Sequence, residues 1–223
     1  IDLLRHIREQ GVSDDRSAII HTYADFEGAP PADRALLDTP ADAPVALALA
    51  RLHEKKGLDT LLDATVKTPG LYVWIAGDGP LEEELKAHCK RNGLNDRVRF
   101  LGWRNDRGAL LAACDIVAFP SRYEPFGTVT VDAWAAKRPL IAADAAGPAA
   151  YVKNEVNGLL IPKNDVDALA DAMSRVIEED GLAARLVAGG TASYEAQFTK
   201  SAFQRDSQAL YNKISAHAGP FKS

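Results

Sequence analysis

From residue 45 onward the chain alternates short apolar runs with stretches of helical spacing, and that alternation narrows the folds open to it. The apolar runs cover residues 45–50, 71–76, 98–101, 116–119, 140–143 and 159–161, each bounded by turn residues. Runs this short and this uniformly apolar predict strands buried on both faces. Between them lie amphipathic stretches. Leu81, Leu85 and Cys89 share one helix face, and Val166, Leu169, Ala170, Met173, Val176 and Ile177 follow the i, i+3, i+4, i+7 spacing of another. Strand and helix in alternation build a parallel sheet covered on both sides, so the expected fold is α/β, a Rossmann-like doubly wound domain. Such sheets bind ligands beyond the carboxyl ends of their strands, which points to the loops after Ala50, Ala76, Leu101, Phe119 and Ala143. Two last helices, at residues 182–194 and 201–217, are expected to pack outside.

The lead-in reads differently. Residues 1–10 have helical spacing that Gly11 closes as a C-cap, and residues 17–21 form a strand-like run. Pro30, Pro31, Pro40 and Pro44 surround a short turn at residues 34–37, the mark of a linker. The sequence opens on Ile1 in helix-like sequence, which implies processing or a preceding segment. Its 223 residues suit a single core. With 31 acidic and 26 basic side chains, the net charge of −5 excludes a general grip on nucleic acid, although a local basic cluster can still serve a phosphate. Cys89 and Cys114 lack CxxC spacing and nearby histidines, so reduced thiols, buried or half-buried, are expected rather than disulfides or a zinc site. No apolar run approaches the roughly 20 residues of a membrane span and no signal peptide opens the chain, so a cytoplasmic protein is expected.

Five loops carry candidate chemistry. Arg51 and Lys56 flank the turn after the first strand, where two cations suit a diphosphate; a solvated basic turn reads equally well. Gly77 and Gly79 follow the second strand, but the third glycine of a dinucleotide fingerprint falls at Glu82, so a tight turn allowing close approach of backbone or ligand is expected, with Pro80 opening the next helix. Trp103 and Arg104 follow the third strand, where they offer contacts to a nucleobase or simply cover the sheet edge. After the fourth strand, Glu124 precedes Gly127, whose position at a helix start leaves amide donors for an anion, and Thr128 and Asp132 share one face of that helix. Glu124 and Asp132 can thus bracket one polyhydroxyl ligand, or serve merely as a cap and a solvated helix residue. Residues 144–148 form a small-residue loop after the fifth strand. The histidines are scattered, and His53 beside the basic turn reads as incidental.

Taken in order, these segments resemble the C-terminal, donor-binding domain of group 1 retaining glycosyltransferases, enzymes of the two-Rossmann GT-B architecture. The resemblance rests on ALARLHEKKG, WIAGDGPLEEEL, VRFLGW, CDIVAFPSRYEPFGTVTVDAWAAKRPLIA and GLLIPKNDVDAL, and runs from about Val45 to Ile177. It implies a nucleotide-sugar-binding domain over residues 44–198, preceded by the end of an N-terminal domain and a hinge (1–43) and followed by a C-terminal helix (199–223). It further implies that Arg51 and Lys56 hold the donor diphosphate, that Glu124 contacts sugar hydroxyls, and that Gly77, Gly79, Trp103, Arg104, Phe126, Gly127 and Thr128 line the donor site. The family places a second glutamate eight residues after the first to hold the ribose; here that position is Asp132, one methylene shorter. Ala150 stands where relatives often carry an acid. The implied reaction is retaining transfer of a hexose from a nucleotide-diphosphate sugar to a glycan or lipid-linked acceptor, in envelope polysaccharide or lipid-linked sugar assembly, without metal or other cofactor. The acceptor and any catalytic base would lie in the N-terminal domain, leaving this chain inactive alone, and the full-length enzyme would associate with the membrane periphery. Two other readings stay open: a non-catalytic nucleotide-sugar-binding module, and another GT-B enzyme such as a phosphorylase or an epimerase, although the acid–base residues an epimerase needs are not found.

Overall fold

In the central strand β1 (Val45–Leu49) the side chains alternate between two buried layers. Val45, Leu47 and Leu49 enter one core, and Ala46 and Ala48 the other. A strand with no wet face must lie inside a sheet covered on both sides, and this one does. The computed structural model describes residues 7–13, 17–24 and 28–217. With β2 (Tyr72–Ala76), β3 (Val98–Gly102), β4 (Ile116–Phe119), β5 (Leu140–Ala143) and β6 (Leu159–Ile161), β1 forms one sheet in the order β3-β2-β1-β4-β5-β6. Every pairing is parallel, so each crossover carries a helix or an equivalent length of chain. The strand order is that of a Rossmann fold, and the direction of winding reverses between β1 and β4.

One face of the sheet is covered by α1 (Leu58–Val66), α2 (Glu82–Arg91) and α6 (Val166–Glu178), through residues such as Leu61, Leu85 and Met173. The other is covered by α3 (Arg107–Ala113), α4 (Thr128–Ala135) and the later turns of α7 (Leu182–Gln197), through Leu110, Trp134 and Tyr194. Two further helices are the short α5 (Ala146–Tyr151) and the long α8 (Lys200–His217). The six strands fall within a residue of their expected bounds, because each is a buried apolar run that turn residues cut off.

Three local expectations change. Residues 17–21 pair with no strand. Instead His21 sets its ring 4.9 Å from Phe198 and 5.6 Å from Tyr151, so the segment lies against an aromatic cluster rather than along a sheet edge. Local β-propensity needs a partner edge to become a strand, and none is offered here. Residues 144–148 are only partly a loop, since α5 begins at Ala146; Pro148 is tolerated in its first turn, where its missing N–H is not needed. Helix α2 begins at Glu82, two residues beyond Pro80. The expected helix at 1–10 lies partly outside the described residues; residues 7–9 are helical, and Gly11, at φ 83°, closes the turn with its N–H on the Arg8 carbonyl.

Both thiols are buried, and loss of hydration pushes Cys89 up to about 11 and Cys114 up to about 12. Helix α4, which carries part of the site, packs along α7 and comes closest to it at Gly190 and Trp134. A Cβ on Gly190 would lie 2.4 Å from Trp134 Cδ1, while Trp134 Nε1 donates to the Asn157 carbonyl at 2.7 Å. Overpacking of this kind costs about 1–3 kcal/mol, so Gly190→Ala is expected to lower Tm by roughly 3–10 °C in a thermal melt. A thiol-reactive dye at pH 7 should label neither cysteine in the folded chain and both after denaturation.

Candidate functional site

The loops beyond the carboxyl ends of the strands are sewn to one another through backbone. A Cβ on Gly57 would lie 2.2 Å from the Pro120 carbonyl oxygen, one on Gly77 2.0 Å from that of Ala50, and one on Gly147 2.4 Å from that of Phe126. Hydrogen bonds follow the same seams: Leu52 N–H to the Asp78 carbonyl at 2.7 Å, Arg122 N–H to that of Lys55 at 2.8 Å, and Gly147 N–H to that of Glu124 at 2.7 Å. The loops after β1, β2, β4 and β5 therefore form one connected surface. Gly77 and Gly79 owe their residue type to this packing: both have positive φ, and a Cβ on Gly79 would meet the Leu52 carbonyl at 2.4 Å.

Across the switch point, Lys56 Nζ stands 2.6 Å from Glu124 Oε2, with side chains only 25% and 15% exposed. Lys56 ends the 3-10 turn Glu54–Lys56 after β1, and Glu124 lies in the loop after β4. His53 caps that turn, its Nδ1 accepting from the Lys55 N–H at 3.3 Å, which gives it a structural role. Arg122 holds the two loops in register. Its guanidinium donates to the Glu54 carbonyl and to Asp59 Oδ2, each at 2.6 Å, to Thr60 Oγ1 at 3.2 Å, and to Asn164. Beyond Glu124, Phe126 packs on Tyr151 at 5.4 Å between ring centroids, and Gly127, at φ 87°, opens α4 with no side-chain cap. Amide donors at the start of α4 thus face the same edge.

Beside this pair a cleft of about 690 Å³ opens along the ends of β1, β2 and β3. Arg51, Gly77, Trp103, Arg104, Thr128 and Asp132 all line it, so six of the expected residues from four loops converge. Trp103 is 71% exposed, which rules out a role as a cover of the sheet edge. Arg104 is committed to Asp106 through two hydrogen bonds at 2.7 and 2.6 Å. Asp132 is buried on the cleft wall rather than solvated, and Arg107 Nε stands 3.7 Å from its Oδ2. Lys56 and Glu124 are not among the cleft-lining residues, so the two expected cations occupy adjoining places. Tyr23 of the lead-in and Phe203 of α8 reach the cleft mouth with rings 5.3 Å apart. Sequence reasoning missed Arg107, Arg122 and these two rings. Arg122 lies inside the quoted loop and Arg107 opens a helix after a strand, but Tyr23 and Phe203 meet only through folding. Among the described residues no group of three or more His, Cys, Asp or Glu side chains is placed to hold a metal ion, and no helix is long and apolar enough to cross a membrane.

Residues 31–192 match the family described as glycosyl transferases, group 1. The chain belongs to that family. Lipopolysaccharide core biosynthesis glycosyltransferase LpsE of Rhizobium meliloti (strain 1021) is 36% identical over 76% of this chain and 50% of its own length. The chain spans about half the length of such curated relatives. The structure of Anabaena HepE with UDP and glucose superposes with a TM-score of 0.81 at 27% identity, covering 93% of this chain and 60% of HepE. The C-terminal domain of a group 1 family protein from Francisella tularensis, LpcC, shares the fold at a TM-score of 0.68 and 22% identity, with 99% of that domain and 79% of this chain covered. The fold is thus the Rossmann-like half of the GT-B architecture.

The Arg122 clamp has a measurable signature. Burial raises the Asp59 carboxyl, but the hydrogen bond and charge of Arg122 outweigh it and hold the group below its ordinary value of 3.8. A depressed carboxylate contributes stability that is complete above its unfolded value and is lost as pH falls through the lower folded value. Arg122→Ala should therefore lower the urea midpoint at pH 7, and the gap to the parent chain should narrow as pH falls below 3.8.

Proposed function

We propose that this chain is the donor-binding domain of a retaining glycosyltransferase that passes a hexose from a nucleotide-diphosphate sugar to a glycan or lipid-linked acceptor. The observation that carries the reading is the convergence at one sheet edge of Arg51, the uncapped start of α4 and the Lys56–Glu124 pair. Departure of a nucleoside diphosphate builds negative charge on the leaving phosphate. Cations and amides fixed in advance stabilise that charge more in the transition state than in the ground state. Arg51, as a planar fork, and Lys56, as a point charge, supply this without a metal. Glu124 orients Lys56 and accepts hydroxyls of the transferred sugar; it is a positioning residue rather than a nucleophile. Phe126, Gly127 and Thr128 shape the phosphate end, and Gly77, Trp103, Arg104 and Asp132 the nucleoside end.

Residues 44–198 form the donor domain in this reading, with residues 1–43 as hinge and end of a preceding domain and residues 199–223 as a closing helix. That preceding domain supplies the acceptor site, so closure of two domains completes the cleft. The bound UDP and glucose of HepE make a uridine donor the first to test, and LpsE favours a lipopolysaccharide-type acceptor met at the cytoplasmic membrane face.

Calorimetry with uridine, guanosine and adenosine diphosphates and their sugars tests the proposal. One of them is expected to bind, and Arg51→Ala or Lys56→Ala to weaken it by roughly ten- to a hundred-fold, the loss of a charge-assisted contact. Absence of binding to all of them would sink the reading. Sugar transfer by this chain alone at an ordinary rate would overturn the assignment of the acceptor site to a second domain.

A further inference from the structure

Lys56 needs more than Glu124 to serve a phosphate. A lysine is a point charge on a four-carbon stem, and holding that stem in one rotamer costs entropy. The 2.6 Å contact with Glu124 fixes the ammonium only as well as the two loops are fixed to one another. Residues on both sides of Lys56 are tied to the stretch that leads into Glu124. Before it, the Glu54 carbonyl accepts from the Arg122 guanidinium at 2.6 Å, and the Lys55 carbonyl accepts from the Arg122 and Tyr123 N–H groups at 2.8 and 3.3 Å. After it, Gly57 lies so close to the Pro120 carbonyl that no Cβ would fit. Of these ties only the Arg122 guanidinium is a side chain.

That guanidinium is already committed. It has five N–H donors, and its bonds go to the Glu54 carbonyl, Asp59 Oδ2, Thr60 Oγ1 and Asn164. Asp59, at 2.6 Å, matches its charge, and Arg122 is not among the residues that line the cleft. It is therefore built to hold protein rather than phosphate. Arg51 is held differently. Its neighbours are fixed by the loop after β2, where Leu52 N–H donates to the Asp78 carbonyl at 2.7 Å and Gly77 packs against the Ala50 carbonyl. The two cations of the edge thus depend on two different loops.

We propose that Arg122 is a positioning residue of the donor site: it sets the turn that carries Lys56 against the loop that carries Glu124, and so strengthens donor binding without touching the donor. The inference rests on the donor-site reading above and adds to it a residue that acts through Lys56 and not through Arg51.

A double-mutant cycle separates this role from a merely structural one. Calorimetry gives Kd for the glucose esters of uridine, guanosine and adenosine diphosphate, at a temperature where thermal melts show every variant folded. Arg122→Ala should weaken the ester that binds by roughly ten-fold. In a Lys56→Ala background the same change should cost about two-fold or less, because the group it positions is gone. In an Arg51→Ala background it should again cost roughly ten-fold, since that cation is held by another loop. Arg122→Lys, which keeps a cation opposite Asp59 but not the planar fork, should give the same pattern on a chain with less of its stability removed. An Arg122 loss of equal size in the Lys56→Ala and Arg51→Ala backgrounds overturns the proposal, and so does an Arg122→Ala chain that binds like the parent. Failure of the unaltered chain to bind any of the three esters would instead bring down the donor-site reading, and this inference with it.

Discussion

Close contact between loop backbones at the carboxyl edge of the sheet is the constraint on which the rest of the site depends. A parallel sheet delivers six chain segments to one edge, but it does not say how the loops beyond it will stand. Here they stand on one another, glycine against carbonyl, at Gly57 on Pro120, Gly77 on Ala50 and Gly147 on Phe126. Each contact is closer than any Cβ allows, so the spacing of loops is set by peptide groups, which do not rotate away as side chains do. Arg122 adds a second fastening: it ties the loop after β4 to the Glu54 carbonyl in the turn after β1, to Asp59 and Thr60 at the start of α1, and to Asn164 beyond β6. Lys56 and Glu124 meet at 2.6 Å because their loops have already met.

The electrostatics of the edge follow from that rigidity. Cations whose partners are fixed cost little to reorganise when a charged ligand arrives, which is the basis of preorganised catalysis. The site also balances its own charges: Glu124 accompanies Lys56, Asp106 accompanies Arg104 and Asp132 accompanies Arg107. Each pairing keeps a side chain in place, and the two partly buried ones, Lys56–Glu124 and Arg107–Asp132, also limit the cost of holding charge away from water. Among the described residues Arg51 has no ion-pair partner, which leaves it the cation most available to a phosphate.

Much of this was legible before folding. Apolar runs cut off by turn residues announced the strands within a residue of their bounds, and the glycine opening α4 and the residues around the strand ends pointed to the carboxyl edge of the sheet, where six of the expected residues line one cleft. What stayed hidden was of two kinds. Residues 17–21 looked like a strand because propensity is local, whereas a strand exists only where an edge offers hydrogen bonds. Gly77 and Gly79 announced a close approach of backbone or ligand, but not which backbone: the Ala50 and Leu52 carbonyls that demand them belong to another loop.

The sequence by itself determined the fold class, the order of elements and the list of chemically able residues, since periodicity and punctuation are properties of neighbours along the chain. Only the tertiary structure decided which of those residues act together. It separated Arg51, in the cleft, from Lys56, bound to Glu124, and it turned Asp132 from a helix residue into a buried carboxylate facing Arg107. It also brought Tyr23 and Phe203 to one cleft mouth. The reason is geometric: a charge acquires its meaning from partners within a few ångströms, and in a doubly wound sheet those partners arrive from strands far apart in sequence.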